Sequence, residues 1–150
     1  MIYCFTHSYH WHIIFYNHDN KRISSRRQVR LIGWCRTFET GNGYAKARME
    51  IKPEHLNGGG VCQGGAIFTL ADLTFAAATN SHARLTLSIT SSINFFKAES
   101  KGFLYAEARE AFSHKRLANC EVRITNETGD LIAPSTEQAT EKIRNCRLPQ

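Results

Sequence analysis

Residues 64–81, GGAIFTLADLTFAAATNS, limit most what this chain can fold into. The stretch holds no proline and is rich in Ala and Leu, which favour helix. Its apolar side chains point nearly all round the helix rather than along one stripe. A helix of that kind is buried, so the rest of the chain must wrap it. With 150 residues there is one domain's worth of chain to do so. No apolar run approaches the roughly 18 residues of a membrane-spanning helix. The content of 42% hydrophobic and 21% charged residues is that of an ordinary globular domain. Collagen-like, disordered and transmembrane readings are thereby excluded.

The wrapping elements read as strands. In residues 43–52, Tyr44, Lys46, Arg48 and Glu50 alternate with Ala45, Ala47, Met49 and Ile51, the pattern of a half-buried strand. A loop dense in Gly and Asn, PEHLNGGGVCQGG, leads into the helix. Residues 84–97, 102–112 and 116–126 predict three more strands, and residues 126–130 (Asn-Glu-Thr-Gly-Asp) a hairpin turn. Leu131-Ile132-Ala133 starts a further strand. The expected plan is α+β: a strand, a buried helix, then an antiparallel meander around it.

The formal net charge of +6 invites a nucleic-acid reading. Its distribution argues against one, because residues 39–133 are neutral and the excess lies in residues 1–38 and 134–150. Nucleic acid would be bound by a tail or not at all, and binding of that kind would be steeply salt-dependent. The five cysteines are odd in number and lack CxxC spacing, so a disulfide framework is not expected and a reduced cytoplasm is. His7, His10, His12 and His18 lack a completing carboxylate or Cys pattern and read as an exposed tail, not a metal site.

Chemistry concentrates at the helix start. Gly64 and Gly65 open the helix, so unpaired N–H groups and the positive dipole end face the preceding loop. Such a place suits polarising a carbonyl or holding an oxyanion. Asp72 lies about two turns on among Leu70, Ala71 and Leu73, and a buried carboxylate is costly unless paired or working. Asn57, six residues before Gln63, can donate through its amide. Each feature has a plainer reading, a tight turn for the glycines and a structural pair for Asp72. The order Asn-x5-Gln-Gly-Gly-x6-Leu-x-Asp is far more specific than any part. Cys62 has no adjacent His to activate it and reads as a buried small residue.

HLNGGGVCQGGAIFTLADLTFAAATNS resembles the signature of hotdog-fold acyl-CoA thioesterases of the phenylacetate-degradation (PaaI-like) type. The resemblance covers about residues 41–133 and is most specific over 54–82. It implies a long central helix wrapped by a curled antiparallel sheet, and homodimers with active sites between subunits, usually paired into homotetramers. It implies hydrolysis of acyl-CoA thioesters with no metal and no cofactor beyond the coenzyme A of the substrate. Asp72 matches the catalytic carboxylate, nucleophile or base; Gly64 the residue whose N–H polarises the thioester carbonyl; Asn57 the loop Asn near the thioester or attacking water. Gln63 stands where the family usually has His; it can hydrogen-bond a carbonyl but cannot titrate near neutral pH. Gly65 and Ser88 fall at substrate-binding positions. Lys97, Lys115 and Arg116 fall where relatives place basic residues, which suits the phosphates of coenzyme A. Phe75, Phe95 and Phe96 suit an aryl or medium-chain acyl group and equally a core. The altered Gln63 keeps open a non-catalytic acyl-CoA-binding protein as the competing function.

Both ends depart from the resemblance, and a reading-frame change accounts for them. Suitable synonymous codons for Pro134–Lys142, read from the third base, encode Phe-Asn-Gly-Thr-Gly-Tyr-Arg-Lys, the expected final strand. Trp34–Phe38, read from the second base, can encode Gly-Val-Glu-Leu, as expected before GYAKARM. The chain then divides into an atypical segment 1–38, a thioesterase domain 39–133 and an atypical segment 134–150. A short final strand is expected, because Pro134 does not suit a central strand. An intact gene specifying these ends in many independent isolates would remove the idea.

Overall fold

The computed structural model describes residues 34–82, 86–114 and 116–141. Its elements are β1 (Cys35–Gly41), β2 (Tyr44–Glu50), α1 (Gly64–Thr79), β3 (Thr86–Ile93), β4 (Phe103–His114), β5 (Leu117–Asn126) and β6 (Leu131–Glu141). The six strands form one antiparallel sheet in the order β1-β2-β4-β5-β6-β3, and α1 packs on one face of it. This is the expected hotdog architecture. Three of the four inner strands alternate as half-buried strands do: Ala45, Ala47 and Met49 of β2 point inward, as do Leu104, Ala106 and Ala108 of β4 and Cys120, Val122 and Ile124 of β5. Alanines on β2 and β4 let the helix come close. Leu70, Ala71, Phe75 and Ala78 fill the space from the helix side.

Tight turns fix the register. Asn42-Gly43 joins β1 to β2, with Gly43 at φ 68°, where a side chain would also strike Glu110. The turn at 126–130 forms as expected: the Asn126 side-chain oxygen accepts from the Thr128 and Asp130 N–H groups at 3.1 and 2.9 Å.

Three expectations need correction. The helix is not covered on every side. A stripe through Gly65, Phe68, Thr69, Asp72 and Ala76 stays exposed or half-buried, because one sheet can cover only one face. The strand expected over 84–97 is confined among the described residues to Thr86–Ile93; beyond it, Asn94 and Phe96 N–H groups bond to the carbonyls of Pro134 and Ile132. The last strand is not short. β6 runs to Glu141, and β1 begins at Cys35, so the sheet crosses both boundaries expected from the sequence. Pro134 is tolerated because its carbonyl points toward the β3 side, where it accepts from Asn94. In a strand the N–H and C=O of one residue share a side. The ring nitrogen therefore faces a point beyond Ile93, the end of the β3–β6 pairing.

Candidate active site

The loop before α1 is pinned from several directions. His55 accepts the Lys52 N–H at Nδ1 (3.0 Å), packs tilted against Trp34 with ring centroids 4.6 Å apart, and takes the Gln63 N–H on its carbonyl (2.8 Å). The Asn57 side-chain oxygen accepts from the Gly59 N–H at 2.9 Å, so that end of the amide shapes the loop and its NH₂ end is the donor. Cys62 N–H bonds to the Glu99 carbonyl at 2.7 Å, tying the loop to the chain after β3.

At the helix start, the Gln63 carbonyl accepts from Ala66 and Ile67 at 3.0 and 3.3 Å. Gln63 itself lies exposed, with no side-chain capping bond. The N–H groups of Gly64 and Gly65 precede the first intrahelical bond, so among the described residues they are the free donors of the positive helix end. A methyl at Gly64 would sit 3.0 Å from the Phe95 ring, so an aromatic wall stands beside these donors. Phe95 and Phe96 are exposed, whereas Phe75 is core.

Asp72 lies eight residues along the same stripe from Gly64, about 12 Å at the helical rise. One protomer therefore does not bring its own Gly64 and Asp72 onto one small group. Nor is Asp72 buried, as the sequence suggested: its side chain is exposed, because it projects from the face the sheet leaves bare. It still loses part of its hydration to neighbouring protein, and this holds its carboxyl above the ordinary 3.8. No hydrogen bond or ion pair holds it among the described residues.

The remaining expected residues lie in three places. Ser88 is exposed on the edge strand β3, its hydroxyl 3.2 Å from that of Ser91. Lys97 is at the Gly64 end of the molecule, two residues from Phe95, and its ammonium lies 2.6 Å from Asp130. Arg116 is exposed at the start of β5. Lys115 lies outside the described residues, as do His7, His10, His12 and His18. Cys62 is buried and burial pushes its thiol up, so it is no nucleophile. No cluster of His, Cys, Asp or Glu among the described residues could hold a metal, and no helix there is long and apolar enough to cross a membrane.

One buried charged residue escaped the sequence reading. Glu137, on β6, is fully buried, with its oxygens 3.3 Å from the Ser91 hydroxyl and 3.2 Å from that of Ser135. Burial foremost, then the charge of Asp72, pushes its carboxyl up to about 7. The available signal was the alternation of Ser135, Glu137 and Ala139 with Thr136, Gln138 and Thr140, which is weak because the inward set is small and polar.

Known proteins share the family and fold of this chain. A protein of Archaeoglobus fulgidus named as an esterase is 46% identical over 100 residues, covering 66% of this chain and 65% of its own. Acyl-coenzyme A thioesterase PaaI of Escherichia coli is 30% identical over 92 residues, covering 61% of this chain and 66% of its own. The chain thus spans slightly less than two thirds of each relative's length. The solved structure of a conserved protein from Pseudomonas aeruginosa superposes with a TM-score of 0.70 at 26% identity, over 72% of this chain and 88% of that one. The sequence pattern of the thioesterase superfamily matches residues 59–133, half of the chain, and includes the free helix end and Asp72. This chain belongs to the thioesterase superfamily.

Proposed function

We propose that the protein hydrolyses acyl-CoA thioesters to a free acid and coenzyme A. The observation that carries this reading is that one helix holds two N–H groups, at Gly64 and Gly65, and the exposed Asp72, none of them bonded among the described residues. The thioester carbonyl rests against the Gly64 N–H, with Gly65 beside it, and these donors take the charge that develops on oxygen. Asp72 attacks the carbonyl carbon, or takes a proton from the water that does. The thiolate of coenzyme A then leaves. Asn57 and Gln63 hold the thioester or the water by hydrogen bonds. Lys97, Lys115 and Arg116 meet the phosphates, and Phe95 and Phe96 suit an aryl or medium-chain acyl group.

The 12 Å between Gly64 and Asp72 on one helix, about the rise of eight residues, calls for a second copy. An antiparallel helix from that copy brings its own Asp72 to this Gly64. The bare stripe on α1 and the edge of β3, unpaired among the described residues, offer the surface, so a homodimer, or a homotetramer built from two, is the functional unit. The reduced, buried Cys35, Cys62 and Cys120 suit a cytoplasmic setting.

Thiol release from a panel of aryl- and acyl-CoA thioesters tests the reading. Asp72→Asn is expected to lower kcat by about 10²-fold or more. Equal release by wild type and Asp72→Asn would overturn it. Tight binding of acyl-CoA without release would favour the non-catalytic alternative that Gln63 raises.

A further inference from the structure

Between β3 and β4 the chain passes the free helix end and touches it at two points. The Phe95 ring covers Gly64: a methyl there would lie 3.0 Å from Cζ and 3.3 and 3.4 Å from Cε2 and Cε1. Distances so nearly equal place that point over the ring face near its tip, not beyond its edge. The Glu99 carbonyl takes the Cys62 N–H at 2.7 Å, two residues before Gly64. Phe95 is 52% exposed, so little packing holds the ring there. The Phe96 and Lys97 N–H groups bond to the Ile132 carbonyl and hold the middle of the segment. Its far end is held by the turn at 126–130. The Lys97 ammonium lies 2.6 Å from the Asp130 carboxylate. The Asn126 NH₂ donates to Glu99 Oε1 at 2.9 Å and to Asp130 Oδ2 at 3.3 Å. The other end of that amide must be oxygen, because it accepts the Thr128 and Asp130 N–H groups. One side chain therefore shapes the turn with its oxygen and ties the turn to the segment before β4 with its NH₂.

We propose that Asn126 is a positioning residue for the hydrolysis: acting through Glu99, it holds the Phe95 ring on Gly64 and the Glu99 carbonyl on Cys62, and so fixes how a thioester meets the Gly64 and Gly65 N–H groups. The inference rests on the reading of those N–H groups as the donors to the carbonyl. A ring lying on the Gly64 Cα closes one side of the donors, so the carbonyl approaches from the other. A ring free to swing off Gly64 would lose that direction, and alignment is a large part of the rate in a reacting complex. The bonds from Asn126 end on carboxylates, the stronger, charge-assisted kind. Asn126 itself touches no substrate.

Asn126→Asp tests this. It keeps the oxygen that shapes the turn, removes the NH₂, and sets a carboxylate against those of Glu99 and Asp130. It should lower kcat/KM for thiol release about tenfold or more. Adding Glu99→Gln supplies an NH₂ that faces the introduced carboxylate, and should recover most of the loss. A second readout does not depend on turnover. The Phe95 ring current shields a Gly64 α-proton, so the NMR shift of that proton, assigned by its disappearance in Gly64→Ala, reports where the ring lies. The shielding should shrink in Asn126→Asp and return in the double variant. Should Asn126→Asp not fold, Glu99→Ala leaves the turn whole and should show both losses. Wild-type rate and shielding in Asn126→Asp, a rate loss with the shielding intact, or no rescue by Glu99→Gln would overturn the proposal. Absence of thiol release from every thioester would instead remove the hydrolase reading, and the shielding series would still decide whether Asn126 holds Phe95 in place.

Discussion

Neither Gly64 nor Asp72 is needed for stability, and that separates function from fold. Asp72 is exposed and unpaired among the described residues, so Asp72→Asn should leave the melting temperature within about 2 °C, as surface substitutions do, while removing activity. Gly64 is helical, and alanine there would gain helix propensity. Its methyl would lie 3.0 Å from Phe95, a ring exposed enough to tilt aside. Gly64→Ala should therefore melt no lower than wild type, yet lose about 100-fold in kcat/KM because the methyl displaces the carbonyl from its donors. Glu137 behaves differently. Between pH 4.5 and about 7 the folded chain holds a proton that the unfolded chain has lost, so stability falls as pH rises through that window. The full effect is roughly 3 kcal/mol, and calorimetry against Glu137→Gln should show it.

Among the elements, β6 is the one the sequence disguised. Its Pro134 and polar alternation argued against a long strand, yet it pairs with β5 and β3 on both sides. Pairing partners, not intrinsic preference, decide a central strand. Because the Pro134 nitrogen faces past the end of β3, Pro134→Ala should change stability by less than about 1 kcal/mol, measured by urea unfolding. A loss well above that would mean the proline ring itself packs into the fold. The helix, by contrast, was legible throughout. Ala-rich and proline-free, it forms over Gly64–Thr79 and passes into a 3-10 turn at Asn80–His82, where Asn80 and Ser81 side chains bond back to the carbonyls of Ala76 and Ala78. The out-of-frame origin proposed for the ends is a matter for the encoding DNA. The chain as translated still supplies β1 and β6.

For the whole molecule, the exposed β3 edge is the feature to test. An edge with apolar residues such as Ile89, 54% exposed, is a template for pairing. Ile89→Arg should shift the molecular mass from dimer or larger to monomer in light scattering and abolish thiol release with it, if the proposed site is shared between protomers. A fully active monomer would contradict the shared site. The sequence by itself determined the plan of a helix wrapped by antiparallel strands, the helix and the loop-helix junction, because these rest on local periodicity, propensity and glycine placement along contiguous chain. Only the tertiary structure decided that Asp72 faces outward and that Glu137 is entombed on the inner face of the sheet. Those facts depend on which face a sheet leaves uncovered and which distant strand lies beneath the helix, and no local pattern encodes either.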